Sequence, residues 1–162
     1  MGSDLRLEII FHKASGMEEL DQLDQELVIR ARKATETAYA PYSGFRVGTA
    51  VLLEGNTIVS GSNQENASYP EGLCAERVAL FSAASQYPGK RILTVAIAAW
   101  DSKTSDFCAV APCGGCRQVM LEFEQKQDLP IKILFPGPGR EVLIAPSTGT
   151  LLPFGFKSSG SS

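Results

Sequence analysis

The chain has 162 residues, 44% of them hydrophobic and 20% charged, with a formal net charge of −3. That length fits one domain and can bury roughly 70% of its unfolded surface, so a core forms without disulfides. The acidic balance argues against a nucleic-acid partner, whose phosphates call for a basic face. No apolar run approaches the roughly 18 residues of a membrane span, and no leader pattern opens the chain. A cytoplasmic protein with no membrane partner is therefore expected.

Residues 5–11 (LRLEIIF) alternate loosely and predict an extra strand within an N-terminal extension, 1–25. Leu20, Leu23, Leu27, Ala31, Ala34 and Ala38 recur at helical spacing and predict a helix over 17–39. Pro41-Tyr42-Ser43-Gly44 is turn material. Residues 46–53 and 57–60 read as strands joined at Gly55-Asn56. A polar loop over 61–72 precedes a small-faced helix over 74–86. The apolar run 92–99 predicts a strand covered on both faces. A polar loop over 101–112, a helix over 113–126 and strands over 131–135 and 141–145 follow, with a turn at 137–139. The order α-β-β-α-β-α-β-β predicts a mixed sheet with helices on its faces. Residues 1–3 and the Ser-rich stretch 157–162 read as flexible ends.

Three of the four cysteines carry a chemical pattern. Cys74-Ala75-Glu76 and Pro112-Cys113-Gly114-Gly115-Cys116 match the arrangement of zinc deaminases that act on bases, in an all-cysteine version. Cys113 and Cys116 stand three apart, on one side of a first helical turn, and Cys74 opens another helix. Free N–H groups and partial positive charge at helix N-termini favour thiolates. Three protein ligands leave a fourth tetrahedral position for water, whose acidity zinc raises toward neutrality. Glu76 is then the general acid/base that moves protons, and Arg77 is placed to donate to the thiolates. A lone Cys-x-x-Cys also suits structural zinc or a redox pair. A zinc ribbon needs a second pair, and the single histidine, His12, lies far away in sequence. Cys108 reads as an ordinary thiol.

Five motifs in order resemble the small homotetrameric zinc-dependent cytidine deaminases, from about residue 26 to 156. They are Tyr39-Ala40-Pro41-Tyr42-Ser43-x-Phe45-x-Val47-Gly48, Asn63-x-Glu65-Asn66-Ala67-Ser68-Tyr69, Cys74-Ala75-Glu76-Arg77, Pro112-Cys113-Gly114-x-Cys116-Arg117-Gln118-Val119, and Leu151-Leu152-Pro153-x-x-Phe156. The resemblance implies a three-layer α/β/α fold with a five-stranded mixed sheet and helices on both faces. It implies one Zn²⁺ per chain on Cys74, Cys113 and Cys116, with Glu76 catalytic. It implies that Asn63 and Glu65 hold the ribose 3′-hydroxyl, that Phe45 lines the nucleoside pocket, and that the Ala75 backbone and Glu76 read the base edge. Phe156 would reach a neighbouring subunit's site, making a homotetramer with shared active sites. Tyr42 and Tyr69 would stand near subunit contacts, and Arg77 and Gln118 around the thiolates.

The expected reaction is hydrolytic deamination of cytidine and deoxycytidine with release of ammonia. A second reading keeps the zinc chemistry but takes another amino-heterocycle or cytosine in single-stranded nucleic acid, which would require a basic, aromatic-lined track. A third makes the cysteines a folding device in an interaction module, and leaves Glu76 without a purpose.

Overall fold

The computed structural model describes residues 2–137 and 139–157. Met1, Pro138 and residues 158–162 lie outside the described residues, and with them most of the expected tail. The elements are β1 (His12–Ala14), α1 (Gln22–Ala34), β2 (Phe45–Leu53), β3 (Thr57–Ser62), α2 (Ala75–Gln86), β4 (Ile92–Asp101), β5 (Asp106–Phe107), α3 (Gly114–Gln127), β6 (Lys132–Pro136), β7 (Val142–Ala145) and α4 (Thr148–Leu151).

The helix expected over 17–39 is trimmed at both ends. Asp21 caps α1 by accepting the Asp24 amide at 2.8 Å, leaving Met17–Glu19 as a separate 3₁₀ turn. At the far end the Thr35 hydroxyl donates to the Arg32 carbonyl (2.8 Å) and the Thr37 hydroxyl to the Ala34 carbonyl (3.0 Å). These bonds tighten the last residues, Thr35–Thr37, into a 3₁₀ turn. The expected boundary at 25/26 falls inside α1.

The sheet has seven strands rather than the expected five, in the order β1-β7-β6-β4-β2-β3, with β5 paired to the end of β4. The polar loop after β4 supplies β5, because Ser105 adopts φ 52° and folds the chain back to set Phe107 opposite Trp100. The other addition is β1, which is not the strand expected over 5–11. Pairing with β7 runs His12↔Ile144 to Ala14↔Val142, and Pro146 follows β7 with no amide to extend it.

Both faces of the central strand β4 are covered, as its apolar run predicts. Val51, Val95, Ile97 and Ile133 pack with Leu80 and Met120 of α2 and α3. Ala50, Leu52, Ala96 and Leu134 pack with Leu27, Val28 and Ala31 of α1. The α/β architecture is therefore three-layered. Helices sit close where the sheet carries glycine: a Cβ on Gly48 would lie 2.1 Å from the Ala31 carbonyl, and one on Gly61 2.6 Å from the Ala79 amide. Among the described residues, no helix is long and apolar enough to cross a membrane.

Pairing directions decide where chemistry gathers. β2 is antiparallel to β3 and β4, and β4 is parallel to β6. Hence β3, β4 and β6 point the same way. α2 and α3 start beyond the carboxyl ends of β3 and β4, where Phe45 also opens β2 opposite Asp101. That end of an α/β sheet is where ligands bind.

Candidate active site

Cys74 and Cys113 are the N-cap residues of α2 and α3, both in extended conformation. The Cys113 sulfur accepts the Cys116 amide at 3.5 Å. Cys116 lies in the first turn of α3 and is fully buried. The Cys74 and Cys113 sulfurs are 3.8 Å apart, and all three sulfurs lie within 4.8 Å of one another. Two helix N-termini, 39 residues apart in sequence, thus converge on one thiol cluster.

The cluster is electrostatically asymmetric. The Cys74 thiol is pulled down to about 5, first by a hydrogen bond from Cys116, then, against the cost of burial, by the Arg77 guanidinium and Cys113. Cys116 is pushed up by that same hydrogen bond and by burial, so ionisation is favoured at Cys74 over Cys116. Arg77 Nη2 lies 3.7 Å from the Cys74 sulfur, and its buried Nε has no partner among the described residues. This donor set fits Zn²⁺: three clustered sulfurs, one already inclined to ionise, and a cation placed to moderate the charge of three thiolates.

Glu76 sits in the first turn of α2, 4% exposed. Burial raises its carboxyl above the ordinary range, and the negative charge on Cys74 adds to the effect. Glu76, Cys74 and Cys113 line a cleft of about 670 Å³ that Phe45, Val47, Asn63 and Glu65 also line. Tyr42 and Tyr69, both exposed, meet edge to face at 6.1 Å on its border.

The polar residues of the cleft are fixed by the backbone around them. Asn63 accepts the Val47 amide at 2.8 Å and donates to the Phe45 carbonyl at 2.9 Å, which leaves one N–H and one lone pair free for a ligand. The Glu65 carboxylate takes the Tyr42 amide at 2.9 Å, the Ser43 amide at 3.3 Å and the Ser43 hydroxyl. These bonds, the Ser43 hydroxyl foremost, hold its pKa below the ordinary carboxylate range.

Not every expected residue enters this cleft. Ala75 is fully buried behind it and does not line it. Phe156 is 76% exposed and also lies outside its own chain's cleft. Gln118, expected around the thiolates, spends its amide elsewhere: it donates to the Phe156 carbonyl and accepts the Phe156 amide, both at 2.9 Å. α3 carries the thiols and the tail on adjacent turns, and Gln118 serves the tail.

Sequence reasoning gave no role to Ser43, which bridges Glu65 and the Phe45 amide (3.0 Å). It gave none to Arg117, which ties the Pro112 carbonyl (2.8 Å) to the Leu151 carbonyl (3.0 Å) and so braces the cysteine loop against α4. Its place in the Pro112–Val119 motif beside Cys116 was the signal, while its second partner, the Leu151 carbonyl, lies 34 residues away.

A mixed α/β sheet that presents three thiols and a buried glutamate at the carboxyl ends of its strands defines the zinc-binding deaminase class. Residues 21–129 match the family model described as the cytidine and deoxycytidylate deaminase zinc-binding region. A cytidine deaminase of Halalkalibacterium halodurans is 46% identical over 102 residues, covering 62% of this chain and 72% of that protein. Among solved structures, a cytidine deaminase from Burkholderia pseudomallei superposes with TM-score 0.68 at 37% identity, covering 81% of this chain and 97% of that one. One from Mycobacterium tuberculosis gives 0.63 at 35% identity, covering 86% and 100%. The chain belongs to the cytidine and deoxycytidylate deaminase zinc-binding family.

Proposed function

We propose that the chain hydrolyses cytidine and deoxycytidine to uridine and deoxyuridine, releasing ammonia, in pyrimidine salvage. The observation that carries this reading is Glu76, a buried carboxyl beside three thiols, in a cleft that also holds Asn63, Glu65 and Phe45. Cys74, Cys113 and Cys116 would hold one Zn²⁺, which supplies Lewis acidity and makes water a usable nucleophile near neutral pH. Glu76 takes the proton that the attacking water gives up at C4 of the pyrimidine. It passes that proton to N3, then takes the second proton of that water from the new C4 hydroxyl and delivers it to the departing amine, which leaves as ammonia as the C4 carbonyl forms. Its raised pKa suits a group that must both accept and return protons.

Binding rests on the remaining cleft residues. The free valences of Asn63 and the Glu65 carboxylate receive the sugar hydroxyl, Phe45 faces the nucleoside, and Glu76 reads the base edge, with the backbone of Ala75, whose side chain is buried behind the cleft, expected to join it. Arg77 offsets thiolate charge. Because a division at 25/26 would cut α1, we assign the deaminase unit to the stretch from the start of α1 to residue 156 and the residues before α1 to an extension. We assign the assembly as a homotetramer in which Phe156, exposed in its own chain, completes a neighbour's site and Tyr42 and Tyr69 lie near the contact.

The test is ammonia release from cytidine, deoxycytidine, a cytosine-bearing oligonucleotide and other amino-heterocycles by zinc-loaded protein. Turnover of the free nucleosides, one zinc per chain and a tetramer by light scattering are expected. Faster turnover of the oligonucleotide or another heterocycle overturns the substrate assignment, and a monomer overturns the shared site.

A further inference from the structure

Residues 2–11 precede the family-matched stretch and join no helix or strand, yet Leu5, Leu7, Ile9, Ile10 and Phe11 are all exposed. Pairing with its own sheet ends at His12↔Ile144, and a continued ladder would set Ile10 opposite Pro146, which has no amide to donate. The base of the arm is anchored, since the Phe11 ring meets Phe135 edge-on at 6.1 Å. In extended conformation Leu5, Leu7, Ile9 and Phe11 share one face, and Asp4, Arg6, Glu8 and Ile10 stand on the other, with Arg6 and Glu8 of opposite charge.

We propose that the arm is an interaction strand whose partner is the same arm of a second copy, paired antiparallel about a two-fold axis through Leu7. Leu5 then faces Ile9 twice, Leu7 faces Leu7, and Arg6 faces Glu8 twice. A one-residue slip sets apolar against polar positions. The adjoining registers that keep the apolar face set Glu8 against Glu8 or Arg6 against Arg6, and like charges directly opposite are unfavourable. The register about Leu5 also pairs opposite charges, Asp4 with Arg6, but sets Leu7 against Ser3, so charge and apolar pairing together favour the register about Leu7, and a two-fold contact is self-complementary by construction. A free two-strand ribbon is marginal in water, but each arm here continues a strand already seated in a sheet. The contact is independent of the thiol cluster and of the cleft.

The register is tested by Leu7→Cys in the full zinc-loaded chain, oxidised with glutathione disulfide and mapped by peptide mass. A disulfide between the two introduced thiols should form at least tenfold more than with Leu5→Cys, whose thiols would stand on opposite sides of the axis. Nucleoside turnover should be unchanged. Adding Arg6→Glu or Glu8→Arg alone should abolish the cross-link, and adding both should restore it. Equal cross-linking from positions 5 and 7, no cross-link at 7, or indifference to the charge reversals overturns the proposal.

Discussion

Replacing Glu76 by Gln separates catalysis from folding. The amide keeps the volume and buried position of the carboxyl at the start of α2 but can no longer take up and return a proton. One positioned general acid/base is worth about 10²–10⁴-fold. Several proton transfers are assigned to this one carboxyl, so the loss in kcat should reach the upper end, about 10⁴-fold or roughly 5.5 kcal/mol. Stability should move the other way. Burial raises the folded-state pKa of Glu76 above the unfolded value of about 4.3. Such a group contributes stability that is fully present below the unfolded pKa and is lost as pH rises through the folded one. Metal-free wild type should therefore lose stability across that window while Glu76→Gln does not, and at pH 7 the variant should be at least as stable. The assay is steady-state ammonia release with zinc content by native mass spectrometry and metal-free melting against pH. Retention of more than about 1% of kcat would refute the proton-carrier role, because that exceeds the expected residue of activity by two orders of magnitude. Loss of zinc would instead make Glu76 a ligand.

Gln118→Ala removes both bonds that hold the Phe156 backbone. At about 1 kcal/mol each, KM should rise about tenfold or more with zinc content and kcat within twofold. Phe156→Ala should give the same change, with no further loss when the two are combined; zinc loss in Gln118→Ala would return the residue to the thiolates. Glu65 carries a depressed pKa, so the order it imposes on residues 42–45 is present above the unfolded carboxylate pKa and disappears only as pH falls through the lower folded value. KM for cytidine should stay level from about pH 8 to about pH 5, and Glu65→Gln should raise it across that whole range. A KM rise centred above about pH 5 in wild type would count against the reading.

The grouping of the thiols was legible because a three-sulfur cluster imposes local patterns. Cys113 and Cys116 share a first helical turn, and Cys74 and Glu76 flank a helix start, so spacing reports their convergence. The strands of the hairpin and of β4 were legible for a similar reason: Gly55 and Asn56 adopt φ 78° and 59°, which those residues tolerate, and a strand buried on both faces must be apolar throughout. What the sequence hid depends on partners far along the chain. The end of α1 is decided by hydroxyls that bond carbonyls three residues back, a competition that helical spacing does not register. The position of β1 is decided by its pairing with β7, more than a hundred residues away, while the alternation of 5–11 pointed to a strand that finds no partner among the described residues. Gln118 differs again. Two residues beyond Cys116, it looks like part of the metal centre, but the helix turns its amide to Phe156. Helical geometry makes this division natural: residues two apart do not face each other. One short helix can therefore hold a metal ligand on one side and brace, on another, an aromatic that its own cleft does not use.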